Sequence, residues 1–129
     1  MSEIALTLTV LPGTYAVCRL APEDSLPRWA TSGDFFSITR TSDELSVVCE
    51  QSGVAEGVTC EGDWRCLRVR GPLDFGLTGI LASLAAPLAE AGISIFAIST
   101  YDTDYVMVKA ADLERATAEL SRSGYLISQ

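Results

Sequence analysis

Ile38-Thr39-Arg40-Thr41-Ser42-Asp43-Glu44-Leu45-Ser46-Val47-Val48 and Ile98-Ser99-Thr100-Tyr101-Asp102-Thr103-Asp104-Tyr105-Val106-Met107-Val108 read as two versions of one segment, aligned at an offset of 60 residues. Each version places a polar turn between two runs of apolar and β-branched residues, the pattern of strand, turn, strand. Upstream, Cys18-Arg19-Leu20-Ala21-Pro22 lies over Leu67-Arg68-Val69-Arg70-Gly71-Pro72, a strand entering a proline turn, at an offset of 49 to 50. The chain therefore reads as two related halves, 1–63 and 64–129. A fixed-period repeat must be found before any single element is assigned, because it sets the fold.

With 129 residues, each half would bury too little surface to be stable alone, so the halves are expected to share one sheet or core. The apolar fraction of 48% is high for a soluble chain and predicts apolar surface covered by a second subunit, a homo-oligomer being the simplest case. A net charge of −8 leaves no basic stripe to neutralise phosphates, which argues against nucleic acid as a partner. No apolar run is long enough to span a membrane, and Met1-Ser2-Glu3 opens an amphipathic strand where a signal peptide would carry a charged region. A cytoplasmic protein without membrane contact is expected. Cys18, Cys49, Cys60 and Cys66 form no Cys-x-x-Cys pair, and there is no histidine, so no metal site or cofactor is expected. Cys18 falls in an apolar strand and reads as a packed thiol, with all four cysteines reduced in that compartment.

Outward from the repeat, Ile4, Leu6, Leu8 and Val10 alternate with Ala5, Thr7 and Thr9 as in a half-buried strand, and Pro12-Gly13 turns into a second strand, Tyr15 to Leu20, so that the N-terminus reads as a hairpin. Residues 22–34, broken by Pro22, Pro27 and Gly33, hold at most a short helix. Residues 51–63 are ambiguous between loop and short helix, and Trp64 to Val69 reads as a strand. Leu77, Ile80, Leu81, Leu84 and Leu88 mark one face of the longest helix, with Gly92 its stop and Pro87 expected to kink it or end it early. Ile93 to Ile98 and Tyr105 to Lys109 are strands. Asp112 is the expected N-cap of a helix through Ser123 that Gly124 closes before a last strand, Tyr125 to Ile127.

The second half thus reads βαββαβ, the ferredoxin-like arrangement, and the first half is a shortened version. The difference between the two offsets leaves its first helix about ten residues shorter. The expected class is α+β, with two ferredoxin-like repeats, antiparallel sheets and helices on one face.

Two stretches follow neighbouring strands in that fold: Gly71-Pro72-Leu73-Asp74-Phe75-Gly76-Leu77-Thr78-Gly79-Ile80 and Ile98 to Asp104. Together with Leu77-Thr78-Gly79-Ile80-Leu81, Pro87-Leu88-Ala89-Glu90-Ala91-Gly92-Ile93 and the Ile98 to Tyr105 segment, they resemble the ACT domain family. The similarity is to the branch that includes small bacterial tandem-ACT proteins and the animal cytosolic arginine sensor, and residues 64–128 carry nearly all of it. The resemblance implies two ACT-type repeats and a regulatory or sensor protein that binds a free amino acid and acts on a regulated enzyme or protein partner. It implies a ligand held by Asp74, Phe75, Gly76, Thr78, Gly79 and Ile80 on one side and Ser99, Thr100, Tyr101, Asp102, Thr103 and Asp104 on the other.

The residues allow that chemistry. Backbone N–H groups at Gly76, Thr78, Gly79 and Ile80, beside a helix N-terminus, suit a carboxylate. Asp74, Asp102 or Asp104 would accept from an ammonium, and three carboxylates favour a cationic side chain, which puts arginine and lysine first among candidate ligands. The same residues also read as a turn and a helix start, with Asp102 and Asp104 serving only local hydrogen bonding. The loop of the first half, Ala21 to Pro27, has no glycine, so no binding residues are assigned to it. An acylphosphatase-like enzyme of the same fold would need an asparagine to position water, and the chain has none. With no histidine and no nucleophile beside a base, no catalytic residue is assigned and an enzyme is not expected. A ligand-free protein-interaction or oligomerisation module is the alternative function.

Overall fold

The computed structural model describes residues 6–71 and 79–129. The strands are β1 (Thr7–Val10), β2 (Tyr15–Leu20), β3 (Ser37–Arg40), β4 (Leu45–Glu50), β5 (Thr59–Val69), β6 (Ile95–Ser99), β7 (Asp104–Lys109) and β8 (Leu126–Ser128). The helices are α1 (Ile80–Glu90) and α2 (Leu113–Arg122). The chain divides into two compact units, Gly13–Trp64 and Met1–Pro12 with Arg65–Gln129. β5 contributes its first half to the one and its second half to the other.

In the unit Gly13–Trp64 the strand order is β3-β4-β2-β5, all antiparallel. β2 pairs with β4 along its whole length, from Tyr15 opposite Glu50 to Leu20 opposite Leu45. Ala16, Cys18, Ala30, Leu45, Val47 and Cys49 form its buried core, packed by Leu20, Trp29, Ile38, Val54 and Val58. The proline-rich segment yields only a 3₁₀ turn, Arg28–Thr31, entered from Pro27 and contributing the fully buried Ala30. β5 starts at Thr59, five residues before the expected Trp64, because Thr59, Cys60 and Glu61 pair with Arg19, Cys18 and Val17. Its polar sequence hides this strand from a periodicity reading. Asp63 takes a left-handed φ of 64°, held by the Gln51 side chain, whose Oε1 accepts from the Asp63 N–H at 2.5 Å while Nε2 donates to Asp63 Oδ1 at 3.1 Å.

In the other unit the order is β8-β1-β5-β7-β6. The elements from β5 onward follow one another as β, α, β, β, α, β. β8, however, does not lie beside β5. β1 stands between them, antiparallel to β5 with Leu8 opposite Val69, and parallel to β8 with Leu8 opposite Ile127. β1 thus occupies the fourth-strand position of this repeat, and the first half of β5 does so in the unit Gly13–Trp64. Leu8, Val10, Leu67, Val69, Val106 and Val108 from the sheet meet Leu84, Leu88, Ala116 and Leu120 from the two helices in one core. The helices therefore cover a single face.

Three local expectations change. The N-terminal hairpin does not form, since β1 pairs with β5 and β8 and β2 with β4 and β5. α1 runs through Pro87 to Glu90 without ending early, because Pro87 lies in the last turn and the Ala91 N–H still bonds the Pro87 carbonyl at 3.1 Å. Gly92 and Gly124, at φ 75° and 103°, stop α1 and α2 as expected. Asp112 sits at the N-cap position but is already helical, at φ −102° and ψ −2°, and makes no capping bond. A 3₁₀ turn, Ala110–Asp112, leads into α2, and Asp112 pairs with Arg115 at 3.3 Å.

The two repeat segments are both hairpins with four-residue loops, 41–44 and 100–103. Thr41 N–H donates to the Glu44 carbonyl at 2.9 Å, and Thr100 N–H to the Thr103 carbonyl at 2.8 Å. Each threonine hydroxyl also accepts from the N–H three residues on, at 3.2 and 3.3 Å. Thr41 is therefore the counterpart of Thr100, an offset of 59 and not 60. At 59, the buried runs Val47-Val48-Cys49 and Val106-Met107-Val108 coincide, as do the 3₁₀ turns Gln51–Gly53 and Ala110–Asp112. A one-residue slip would turn every side chain to the other face.

Candidate ligand site

The β6–β7 loop is built by Thr100, whose hydroxyl donates to the Thr103 carbonyl at 3.0 Å in addition to the backbone bond. This occupies Thr100 in folding the turn. Thr103 is buried at 7% exposure and donates its hydroxyl to the Val69 carbonyl at 2.6 Å, joining the loop to the end of β5. Ser99 donates to Asp104 Oδ1 at 2.6 Å, so one Asp104 oxygen is engaged within the hairpin. Tyr101 projects from the loop at 80% exposure.

A cleft of about 180 Å³ opens beside this loop, lined by Arg68, Gly71, Asp102, Thr103 and Tyr105. Of the expected site residues it gathers Asp102 and Thr103. Gly79 and Ile80 are not among its lining residues. Gly79 has a φ of 78° at the N-cap position of α1, with open space where a side chain would start, and Ile80 packs against the helix-side core. Asp74, Phe75, Gly76 and Thr78 lie outside the described residues.

Arg68, Gly71 and Tyr105 were not singled out from the sequence. The available signal was the period of two: Leu67 and Val69 enter the core at 1% and 0% exposure, so Arg68 between them faces away from the helices. Tyr105 precedes the buried Val106 and shares that helix-free face. The Arg68 Nε is fully buried and has no hydrogen-bond partner among the described residues. The cleft thus offers a guanidinium, a carboxylate and an aromatic ring.

The cysteines lie elsewhere. All four are free thiols, with Cys18, Cys49 and Cys66 buried and Cys60 exposed. Burial pushes the Cys18 thiol up to about 12, with neighbouring Cys49 and Cys60 adding to the rise, and burial alone does the same for Cys66. Among the described residues no cluster of acidic or cysteine side chains could hold a metal ion, and no helix is long and apolar enough to cross a membrane.

The ACT domain family profile matches residues 59–122, and the profile of a second family's N-terminal domain matches residues 13–57. The chain is 33% identical over 100 residues to the human "Putative protein CASTOR3P", covering 67% of this chain and 61% of that protein. It is 32% identical over 99 residues to the bovine "Cytosolic arginine sensor for mTORC1 subunit 1", covering 68% of this chain and 30% of the sensor. The chain therefore spans only part of the length of these relatives. A crystal structure of a protein from Agrobacterium tumefaciens superposes with a TM-score of 0.91 at 38% identity, covering 97% of this chain and 93% of that one. The regulatory subunit of aspartate kinase from Thermus thermophilus, in its ligand-free form, gives a TM-score of 0.65 at 12% identity over 93% and 99% of the two chains, a likeness of fold alone.

Proposed function

Since the chain belongs to the ACT domain family, we propose that it is a non-catalytic regulatory or sensor protein that binds a free amino acid at the cleft beside the β6–β7 loop. The observation that carries this reading is the lining of that cleft, where Arg68 and Asp102 stand together with Gly71, Thr103 and Tyr105. A zwitterion presents one anionic and one cationic group close together, and opposite charges in one small cleft complement it. The family's members include a sensor of arginine by name, which supports an amino acid as the ligand class.

Asp102 serves the cationic end. Asp104 contributes less, because Ser99 already satisfies one of its oxygens. Arginine and lysine, which add a second cation for Asp102 to meet, are the first ligands to test. Ser99, Thr100 and Thr103 hold the loop in shape.

The output passes to a regulated protein partner or to a second copy of the chain. Tyr101 at 80% exposure on the loop and Leu126 at 59% exposure on β8 offer apolar surface for such contacts. The same two residues favour the alternative reading, an interaction module with no ligand. Calorimetric titration with each of the twenty amino acids separates the two: saturable heat with one or a few supports the sensor, and none at millimolar concentration leaves the interaction module.

A further inference from the structure

Cys18, Cys49 and Cys60 belong to three neighbouring strands of the unit Gly13–Trp64, in the order β4, β2, β5. We propose that Cys60 and Cys18 form an oxidisable dithiol: a hydroperoxide reacts at Cys60, and Cys18 then closes a disulfide with it from β2 to β5. Neither residue lines the ligand cleft, so the amino-acid reading stands whether or not the disulfide forms.

Strand register makes the pair. Cys18 lies directly opposite Cys60 in the antiparallel ladder of β2 and β5. Residues so paired share a face and have Cα atoms about 4.5 to 5.5 Å apart, inside the range of about 4.4 to 6.8 Å that a disulfide spans. The two side chains can therefore be bridged without moving the backbone. Cys49 and Cys60 both hydrogen-bond with the Cys18 thiol, but Cys49 pairs with Ala16 and so sits diagonal to Cys18. Diagonal Cα atoms lie about 7 to 8 Å apart, beyond the reach of a disulfide unless the strands shift. Register thus selects Cys60 over Cys49.

Cys18 and Cys49 are core residues at 1% and 0% exposure, and packing accounts for them. It does not account for Cys60, which is exposed. An exposed thiol meets small oxidants, and a second thiol opposite it resolves the product. In the first step the Cys60 sulfur attacks a peroxide oxygen, the O–O bond breaks, and water or an alcohol leaves with the thiol proton. Cys60 becomes a sulfenic acid. In the second step the Cys18 sulfur attacks the Cys60 sulfur, the S–O bond breaks, and the Cys18 proton leaves with the hydroxide as water. The two thiols give up two electrons in all, and one hydroperoxide is reduced. Burial pushes the Cys18 pKa up to about 12, so Cys18 stays protonated at neutral pH and Cys60 is the thiol that meets the oxidant first.

The test treats the full chain with hydrogen peroxide and maps the cysteines by mass spectrometry of unreduced peptides. Two of the four thiols should be lost, with the Cys18 peptide joined to the Cys60 peptide, and dithiothreitol should restore both. Cys18→Ser should leave Cys60 as a sulfenic acid that dimedone traps, and Cys49→Ala should still form the disulfide. Cys60→Ser should protect Cys18 at the same dose. Full retention of the thiols, Cys18 joined to Cys49, or Cys60 joined only to Cys60 of a second copy would each overturn the assignment, as would oxidation of Cys18 in Cys60→Ser at the wild-type rate. Should the variants at the buried Cys18 and Cys49 fail to fold, the wild-type map and the exposed-site variant Cys60→Ser decide the question.

Discussion

The Thr103 hydroxyl donates to the Val69 carbonyl at 2.6 Å, tying the loop between β6 and β7 to the last residue of β5. Val69 itself is fully buried in the helix-side core, so the wall of the candidate site is anchored to that core. Arg68 precedes Val69 and Asp102 precedes Thr103, so this bond joins the two stretches that carry the charged residues of the cleft.

Thr103→Val keeps the shape of the side chain and removes the donor. It should cost about 1 to 3 kcal/mol, the range for a buried hydrogen bond whose partner is left unmatched. Urea denaturation measures the loss, and a change under about 0.3 kcal/mol would mean that the Val69 carbonyl finds another donor.

Leu84 is 1% exposed and packs between α1 and the sheet. Leu84→Ala should therefore destabilise the protein by about 2 to 5 kcal/mol, as truncations in packed cores do. The denaturation midpoint should fall with little change in slope.

Asp102→Asn should weaken binding of arginine or lysine by about 1.5 to 3 kcal/mol, the scale of a hydrogen bond to a charged group. Asp104→Asn should have a smaller effect, because its Oδ1 is engaged by Ser99. Calorimetry on the two variants compares them directly, and an equal or larger loss at Asp104 would relocate the cationic contact.

Gly79→Ala places a side chain in open space but on a left-handed backbone with φ 78°. The expected cost is about 1 to 2 kcal/mol of stability. Amino-acid binding should survive, since Gly79 does not line the cleft.

Cys18 and Cys66 have thiol pKa values raised from 9.0 to about 12 by burial. The folded state therefore holds protons that the unfolded chain releases above 9.0. Their contribution is fully present below pH 9.0 and is lost as the pH rises through about 12, so stability should fall across that window. Denaturation midpoints measured from pH 8 to 11 should decline less steeply in Cys66→Ala than in wild type, whatever that substitution costs at pH 8.

The strand, turn, strand repeat was legible because alternation of apolar and polar residues is written locally, and so were α1, α2 and their glycine stops. The alignment of the repeat was displaced by one residue because Ile38 and Ile98 look alike, whereas the threonine turns that fix the true offset, at Thr41 and Thr100, are recognisable only by their hydrogen bonds. The first half of β5 was missed because Thr59 to Asp63 carries polar residues and a glycine, and its extended form depends on pairing with β2.

What the sequence by itself determined is the set of elements, their order and the ferredoxin-like plan, since these follow from periodicities of two and 3.6 and from the residues that break them. Only the tertiary structure placed β1 between β5 and β8, because strand pairing is a non-local choice that no short window contains. It likewise brought Arg68 beside Asp102 in one cleft. Those residues are far apart along the chain, and the pairing of β7 with β5, together with the Thr103 hydroxyl bond to Val69, brings the loop to the strand that carries the arginine.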